Sequence, residues 1–239
     1  MINLKDNKLL FWGIIVYTTK ELYEEGHSLA SSYIHSFTYP WEALSGIKNL
    51  ILEIGKTLSP DEYDNPKEGV WIHKEASVMP SAYIGSPCII GKGTEVRHCA
   101  FIRGSALVGE NCVVGNSVEL KNVIISDNVQ VPHYNYVGDS ILGYNSHMGA
   151  GSITSNVKSD KTLVVIKDRV NGEEIKTGIK KVGAFLGDYV EVGCNSVLCP
   201  GSVIGPHSNI YPLSRVRGVV SASSIYKKEG DIVEKKGDN

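Results

Sequence analysis

The sequence predicts an all-β solenoid of hexapeptide repeats, with a small helical N-terminal cap and one inserted β-hairpin-like loop. Three observations predict it. An aliphatic residue recurs every six positions at Ile72, Val78, Ile84, Ile90, Val96, Ile102, Val108, Val114 and Leu120. With two five-residue steps it continues through Ile125, Val131, Val137, Leu142 and Met148, and it resumes at Leu186, Val192, Leu198, Ile204, Ile210 and Val216. Glycine often stands next, as at Gly85, Gly91, Gly109 and Gly193, and a small residue stands four after, as at Ala76, Cys88, Thr94, Ala100, Cys112 and Ser196. A period of six is neither helical nor a simple strand alternation. It fits short strands joined by corners, the aliphatic side chain pointing in and glycine easing the turn. Three hexads close one triangular coil, so residues eighteen apart stack at roughly 4.8 Å. About twenty repeats then make six to seven coils, roughly 30 Å tall.

Residues 1–66 lack the hexad and read as a mostly helical cap. Leu9–Tyr17 is an extended apolar segment and Lys20–Tyr33 a helix. Leu44, Ile47, Ile51, Ile54 and Leu58 keep helical spacing between Pro40 and Pro60, which open and close a second helix. An amphipathic piece of this kind is expected to cap the first coil and protect its open strand edge. Residues 67–222 form the solenoid, interrupted at 157–183 by a charged, β-prone insertion with Asn171-Gly172 as its hairpin turn. Such excursions map to one face, often the binding face. Residues 223–239 read as a charged, solvent-facing tail.

Composition narrows the function. A net charge of -2 and the lack of a basic stripe exclude nucleic acid as the main partner. The longest apolar run, Leu9–Tyr17, is too short to span a membrane and lacks the flanks of a secretory signal. Five cysteines without a Cys-x-x-Cys pair are expected to be reduced, mostly buried thiols, which suits the cytoplasm.

Certain residues break the repeat. Arg103 and Lys121 stand where glycine is expected and are eighteen residues apart, so stacking puts two cations on one face of adjacent coils. They either splay to solvent or share one anion. Glu119 lies two before Lys121. His133 lies further along, within the polar and aromatic cluster Tyr134, Asn135 and Tyr136, and histidine is the side chain suited to proton transfer near neutrality. Gly149–Asn156 is a slender, hydroxyl-rich stretch, either further coil corners or a place where a ligand approaches backbone amides. No metal is expected. Some hexapeptide solenoids hold one through three histidines, but beside His98 and His133 the third position is Gly138.

The run Pro132–Asp139, followed by Gly149–Asn156 and the restart Gly183–Gly187, resembles the acetyltransferase half of the bifunctional glucosamine-1-phosphate acetyltransferase/N-acetylglucosamine-1-phosphate uridylyltransferases, above all the archaeal-type and short forms. The resemblance covers residues 67–222 and implies a left-handed parallel β-helix, trimeric, with active sites in clefts between solenoids. It implies acetyl-CoA as donor, a sugar phosphate as acceptor, His133 as the catalytic base and Glu119 as the carboxylate orienting it. It likewise places Asn156 at the acetyl group, Arg103 and Lys121 on the sugar phosphate, Tyr136 on the sugar, and Ala150 and Cys194 along the coenzyme. His147 departs from the family's sugar-contacting asparagine and Val157 from an aromatic residue. Lys161 matches a substrate-binding lysine only with a one-residue deletion. The large nucleotidyltransferase domain with its Gly-rich loop has no counterpart in residues 1–66, so nucleotidyl transfer is not expected of this chain alone. A non-catalytic solenoid serving a separate nucleotidyltransferase, or an acyltransferase for another phosphorylated or nucleotide-linked sugar, are the alternatives.

Overall fold

In a computed structural model describing residues 16–167 and 174–235, the repeat folds into a parallel β-helix with three faces. The inward aliphatic positions, from Ile90, Val96 and Ile102 to Ile204, Ile210 and Val216, form one continuous buried core. One face stacks eight strands, from Ser77–Val78 to Ser224–Lys228. The coil number therefore exceeds the expected six to seven. The additional strand comes from the segment read as a charged tail: Ile225 and Tyr226 pair in parallel with Asn209 and Ile210, and Tyr226 is buried. Asp231–Glu234 then folds back antiparallel on that strand and covers the terminal edge.

Glycine plays a different part from the one expected. The glycines after the aliphatic residue do not take the left-handed conformation; the third residue after it does, as at Cys99, Ser105, Asn111, Asn128, Asn145, Asn195 and His207. What the first position needs is space. A Cβ on Gly85 would lie 2.5 Å from the Arg103 carbonyl oxygen of the next coil, and one on Gly193 would meet Pro212.

The helical part of the N-terminal segment leaves the edge of the first coil to Tyr63–Lys67, which pairs antiparallel with Val70–His73. It lies along one lateral face, where the residue just before the inward one is apolar in coil after coil: Ile89, Leu107, Ile124, Ile141, Phe185, Val203 and Val219. Val16, Leu22, Ile34, Trp41, Leu44, Ile47 and Ile51 bury against this stripe. The Ala222 N–H donates to the Tyr17 hydroxyl at 2.6 Å, and Trp41 packs on Phe185 with ring centroids 6.1 Å apart. Lys20–Tyr33 is not one helix. Two short helices, Thr19–Leu22 and Ser31–His35, flank a turn at Gly26, whose φ of 93° no helix accommodates. The second predicted helix is a 3-10 turn, Pro40–Gly46, continued by the α-helix Ile47–Gly55. Of Leu9–Tyr17, residues 9–15 lie outside the described residues.

Truncating the stripe should loosen the whole segment. Phe185→Ala removes a buried ring from beneath Trp41 and should cost about 3–5 kcal/mol in a denaturant titration. A change below about 1 kcal/mol would mean that the lateral packing is marginal.

The insertion forms the expected hairpin, with Val165–Lys167 antiparallel to Glu174–Lys176. Its predicted turn, Asn171-Gly172, lies outside the described residues. Cys88 and Cys112 are buried, and burial pushes both thiols up to about 12. Cys99 and Cys194 are exposed, against the expectation of mostly buried thiols, because they sit at or beside coil corners. Among the described residues no helix is long and apolar enough to cross a membrane.

Candidate active site

The site grows from the two five-residue steps. Most coils turn with a full hexad, but Leu120 to Ile125 and Val137 to Leu142 are one residue short. The chain there runs through the corner as two seven-residue strands, Glu119–Ile125 and Tyr136–Leu142, paired in parallel throughout. The corner residues Asn122 and Asp139 take φ of 54° and 49°, a conformation Asn and Asp tolerate better than most. This turn carries Asp139 inward, to 3 % exposure.

Around that buried carboxylate the polar residues of the face converge. Lys121 Nζ donates to Asp139 Oδ1 and Oδ2 at 2.9 and 3.0 Å. Asn122 Nδ2 donates to Oδ1 at 2.9 Å, and Asn156 Nδ2 to Oδ2 at 2.6 Å. Asn156 Nδ2 also lies 3.1 Å from the Tyr136 hydroxyl, which accepts from it. Burial, then the charges of Asp139 and Glu119, push the Tyr136 phenol above its ordinary pKa, so it stays protonated. Arg103 and Lys121 do stack on adjacent coils, since Ile102 registers with Leu120. Each already holds its own carboxylate, however: Arg103 Nη1 donates to Glu119 Oε1 at 2.9 Å. That bond raises the guanidinium's pKa.

His133 closes the strand at the neighbouring corner. Its backbone N–H donates to Asn135 Oδ1 at 3.1 Å, and the buried Asn135 amide donates onward to the Gly149 and Ser152 carbonyls at 2.9 and 3.1 Å. Asn135 thus pins the loop that presents the exposed imidazole. Glu119 does not reach that ring; its carboxylate is held by Arg103. His133, Ala150 and Cys194 follow one another at this corner on three successive coils, since the Gly151 N–H donates to the His133 carbonyl and the Asn195 N–H to the Ala150 carbonyl. Cys194 lines a groove of about 310 Å³ with His147, Gly149, Val192 and Tyr211. His147 Nδ1 lies 2.9 Å from Glu191 Oε2 on the wall of that groove, away from Tyr136. Lys161 belongs to neither group. It sits in the insertion at φ 56°, its N–H bonded to the Lys158 carbonyl.

Residue by residue, therefore, the fold gathers Lys121, Tyr136 and Asn156 around Asp139, sets the Arg103–Glu119 pair on the adjacent coil beside them, and places His133, Ala150 and Cys194 in a column at the adjoining corner. Asp139, Asn122 and Asn135 were missed. The shortened hexads marked the first two, and nothing in the repeat marks the third beyond its place in a polar run. Removing Asp139 should loosen the cluster. Asp139→Ala leaves Lys121 and two amides without their acceptor, and because Lys121 can still reach water the cost should be about 1–3 kcal/mol in urea. Unchanged stability would show that the network contributes nothing to the fold.

The fold is thus a parallel β-helix of hexapeptide repeats with an exposed histidine at one corner beside a cation-and-amide cluster. The chain is similar to bifunctional sugar-1-phosphate nucleotidylyltransferase/acetyltransferases. It is 35% identical over 161 residues to the bifunctional sugar-1-phosphate nucleotidylyltransferase/acetyltransferase of Sulfurisphaera tokodaii, covering 67% of this chain and 40% of that one. To the bifunctional protein GlmU of Methanococcus maripaludis it is 33% identical over 224 residues, 91% of this chain and 54% of the relative. The chain thus spans about half the length of the relatives it matches. No protein-family profile matches it. Among solved structures, the UDP-N-acetylglucosamine acyltransferase from Campylobacter jejuni superposes with a TM-score of 0.37 at 13% identity, over 66% of this chain and 67% of that one.

Proposed function

We propose that the protein transfers the acetyl group of acetyl-CoA to the amine of a hexosamine 1-phosphate such as glucosamine 1-phosphate. The observation that carries this reading is the convergence of Arg103, Lys121, Tyr136 and Asn156 on one face, beside the corner that presents His133. The amine attacks the thioester carbonyl, His133 takes the amine's proton, and the tetrahedral oxyanion is met by Asn156 or backbone donors. The intermediate collapses by breaking the C–S bond, the coenzyme A thiolate leaving with the proton. Arg103 and Lys121 hold the sugar phosphate, exchanging their carboxylates for it in part, and Tyr136 contacts the sugar. Ala150 and Cys194 line the pantetheine path, and no metal takes part.

His147, paired with Glu191 instead of offering an amide, favours a second reading in which the acceptor is a different phosphorylated or nucleotide-linked amino sugar. Thiol release from acetyl-CoA across a panel of amino-sugar phosphates tests both. Turnover with glucosamine 1-phosphate supports the first, turnover with another member only supports the second, and none with any supports a non-catalytic partner of a separate nucleotidyltransferase.

The reading also requires a cytoplasmic homotrimer, since the His133 corner is open and a neighbouring solenoid would complete the cleft. Light scattering at micromolar concentration should give three times the chain mass of 26.0 kDa. A monodisperse monomer would remove the shared cleft.

A further inference from the structure

Beyond the cluster around Asp139, the same face turns concave. The inserted hairpin folds over the corner at Pro200 and encloses a cleft of about 560 Å³. Its wall is fixed by packing. Val164 and Ile166 are buried, and a Cβ added to Gly201 would lie 2.8 Å from the Val164 side chain. The Gly201 N–H donates to the Gly183 carbonyl at 2.7 Å, tying the corner to the base of the hairpin.

Four cations line this cleft, Lys158, Lys167, Arg215 and Arg217, against the two carboxylates Asp160 and Glu174. Lys158 lies 3.3 Å from Asp160, and Lys167 pairs with Glu174. Arg215 lies against the Cys199 sulfur and feels the charge of Glu229. Arg217 has no ion pair or hydrogen bond among the described residues. Arg215 and Arg217 flank the inward Val216, Arg217 one residue beyond the strand Arg215–Val216, and both are exposed along the cleft. Both guanidinium groups are exposed and one has no carboxylate partner, so the pair can engage an anion from solvent. Their fork geometry suits phosphate oxygens.

We propose that this cleft is a second anion site, which takes the diphosphate group of a small phosphorylated ligand. It is distinct from the Arg103–Lys121 pair. In register, Lys121 leads through Gly138, Ser155 and Cys199 to Arg217, four coils or roughly 19 Å at the strand spacing. One phosphate cannot touch both. The two sites nevertheless adjoin, because Ser155 and Val157, which line the cleft, flank Asn156 of the clustered site. The assignment does not rest on acetyl transfer.

Calorimetric titration of the full chain at low salt tests it, with inorganic pyrophosphate, orthophosphate and a nucleoside diphosphate as probes. Pyrophosphate should still bind Arg103→Ala/Lys121→Ala with undiminished affinity at the cleft. Arg215→Gln/Arg217→Gln should weaken that binding at least about tenfold, the loss expected when charge-assisted hydrogen bonds to the anion go. Added salt should weaken it as well. Tighter binding of the nucleoside diphosphate than of pyrophosphate assigns the site to a nucleotide, and equal binding assigns it to the inorganic anion. Should the double glutamine variant fail to fold, Arg217→Gln alone decides, since that side chain makes no contact whose loss would disturb the coil. Titrations unchanged by Arg217→Gln, or no binding by any probe, would overturn the proposal.

Discussion

Replacing His133 with alanine is expected to lower kcat by about 10²- to 10⁴-fold on the best acceptor, the span of general-base removal. An amine is unreactive toward a thioester while protonated; the other histidine of that corner column, His98, stands two coils away and is held by Ser81, and His147 pairs with Glu191. The affinity for acetyl-CoA should hardly change, because in the proposed reaction the imidazole acts on the acceptor. That split separates a lost base from a collapsed corner, since Asn135, which pins the loop through backbone groups, remains in place. Glu119→Gln should act differently from an orienting carboxylate. Glu119 engages Arg103, so its loss should appear in KM for the phosphorylated acceptor more than in kcat. Wild-type kcat in His133→Ala would refute the mechanism.

The second large effect concerns Arg103 and Lys121. Each truncation should raise KM for the sugar phosphate by about 10- to 100-fold, as expected for a lost charge-assisted hydrogen bond. Their combination should be less than additive, because in the proposed reading they share one ligand. The two positions should also differ in stability. The Arg103–Glu119 pair is exposed and contributes little to folding, whereas Lys121 compensates the buried Asp139 carboxylate, so only Lys121→Ala should lower the unfolding midpoint. The wild-type enzyme should prefer glucosamine 1-phosphate to glucosamine. Equal turnover of the two would remove the phosphate role.

Much of this was legible from periodicity, because an inward aliphatic residue every sixth position can be buried only by a coil, and the coil fixes which residues stack. That arithmetic placed Arg103 beside Lys121 without any coordinates. The apolar stripe from Ile89 and Leu107 to Phe185 and Val203 was equally present in the chain, one place ahead of each inward residue. It implied that a lateral face is covered, although the segment covering it was assigned to the end of the solenoid. The five-residue steps were visible too, but a missing residue does not say where the shortened corner will point.

By itself, then, the sequence determined the solenoid, the inserted hairpin and the set of polar residues that break the repeat, since these follow from local spacing and from burial at a fixed period. Only the tertiary structure decided how those residues pair. Arg103 takes Glu119, Lys121 and Asn156 take Asp139, and His133 stands apart from the carboxylate expected to orient it. The reason is physical: a hydrogen bond of 3 Å depends on side-chain direction at a corner, and the turn of Asn122 and Asp139 into the left-handed region sets that direction.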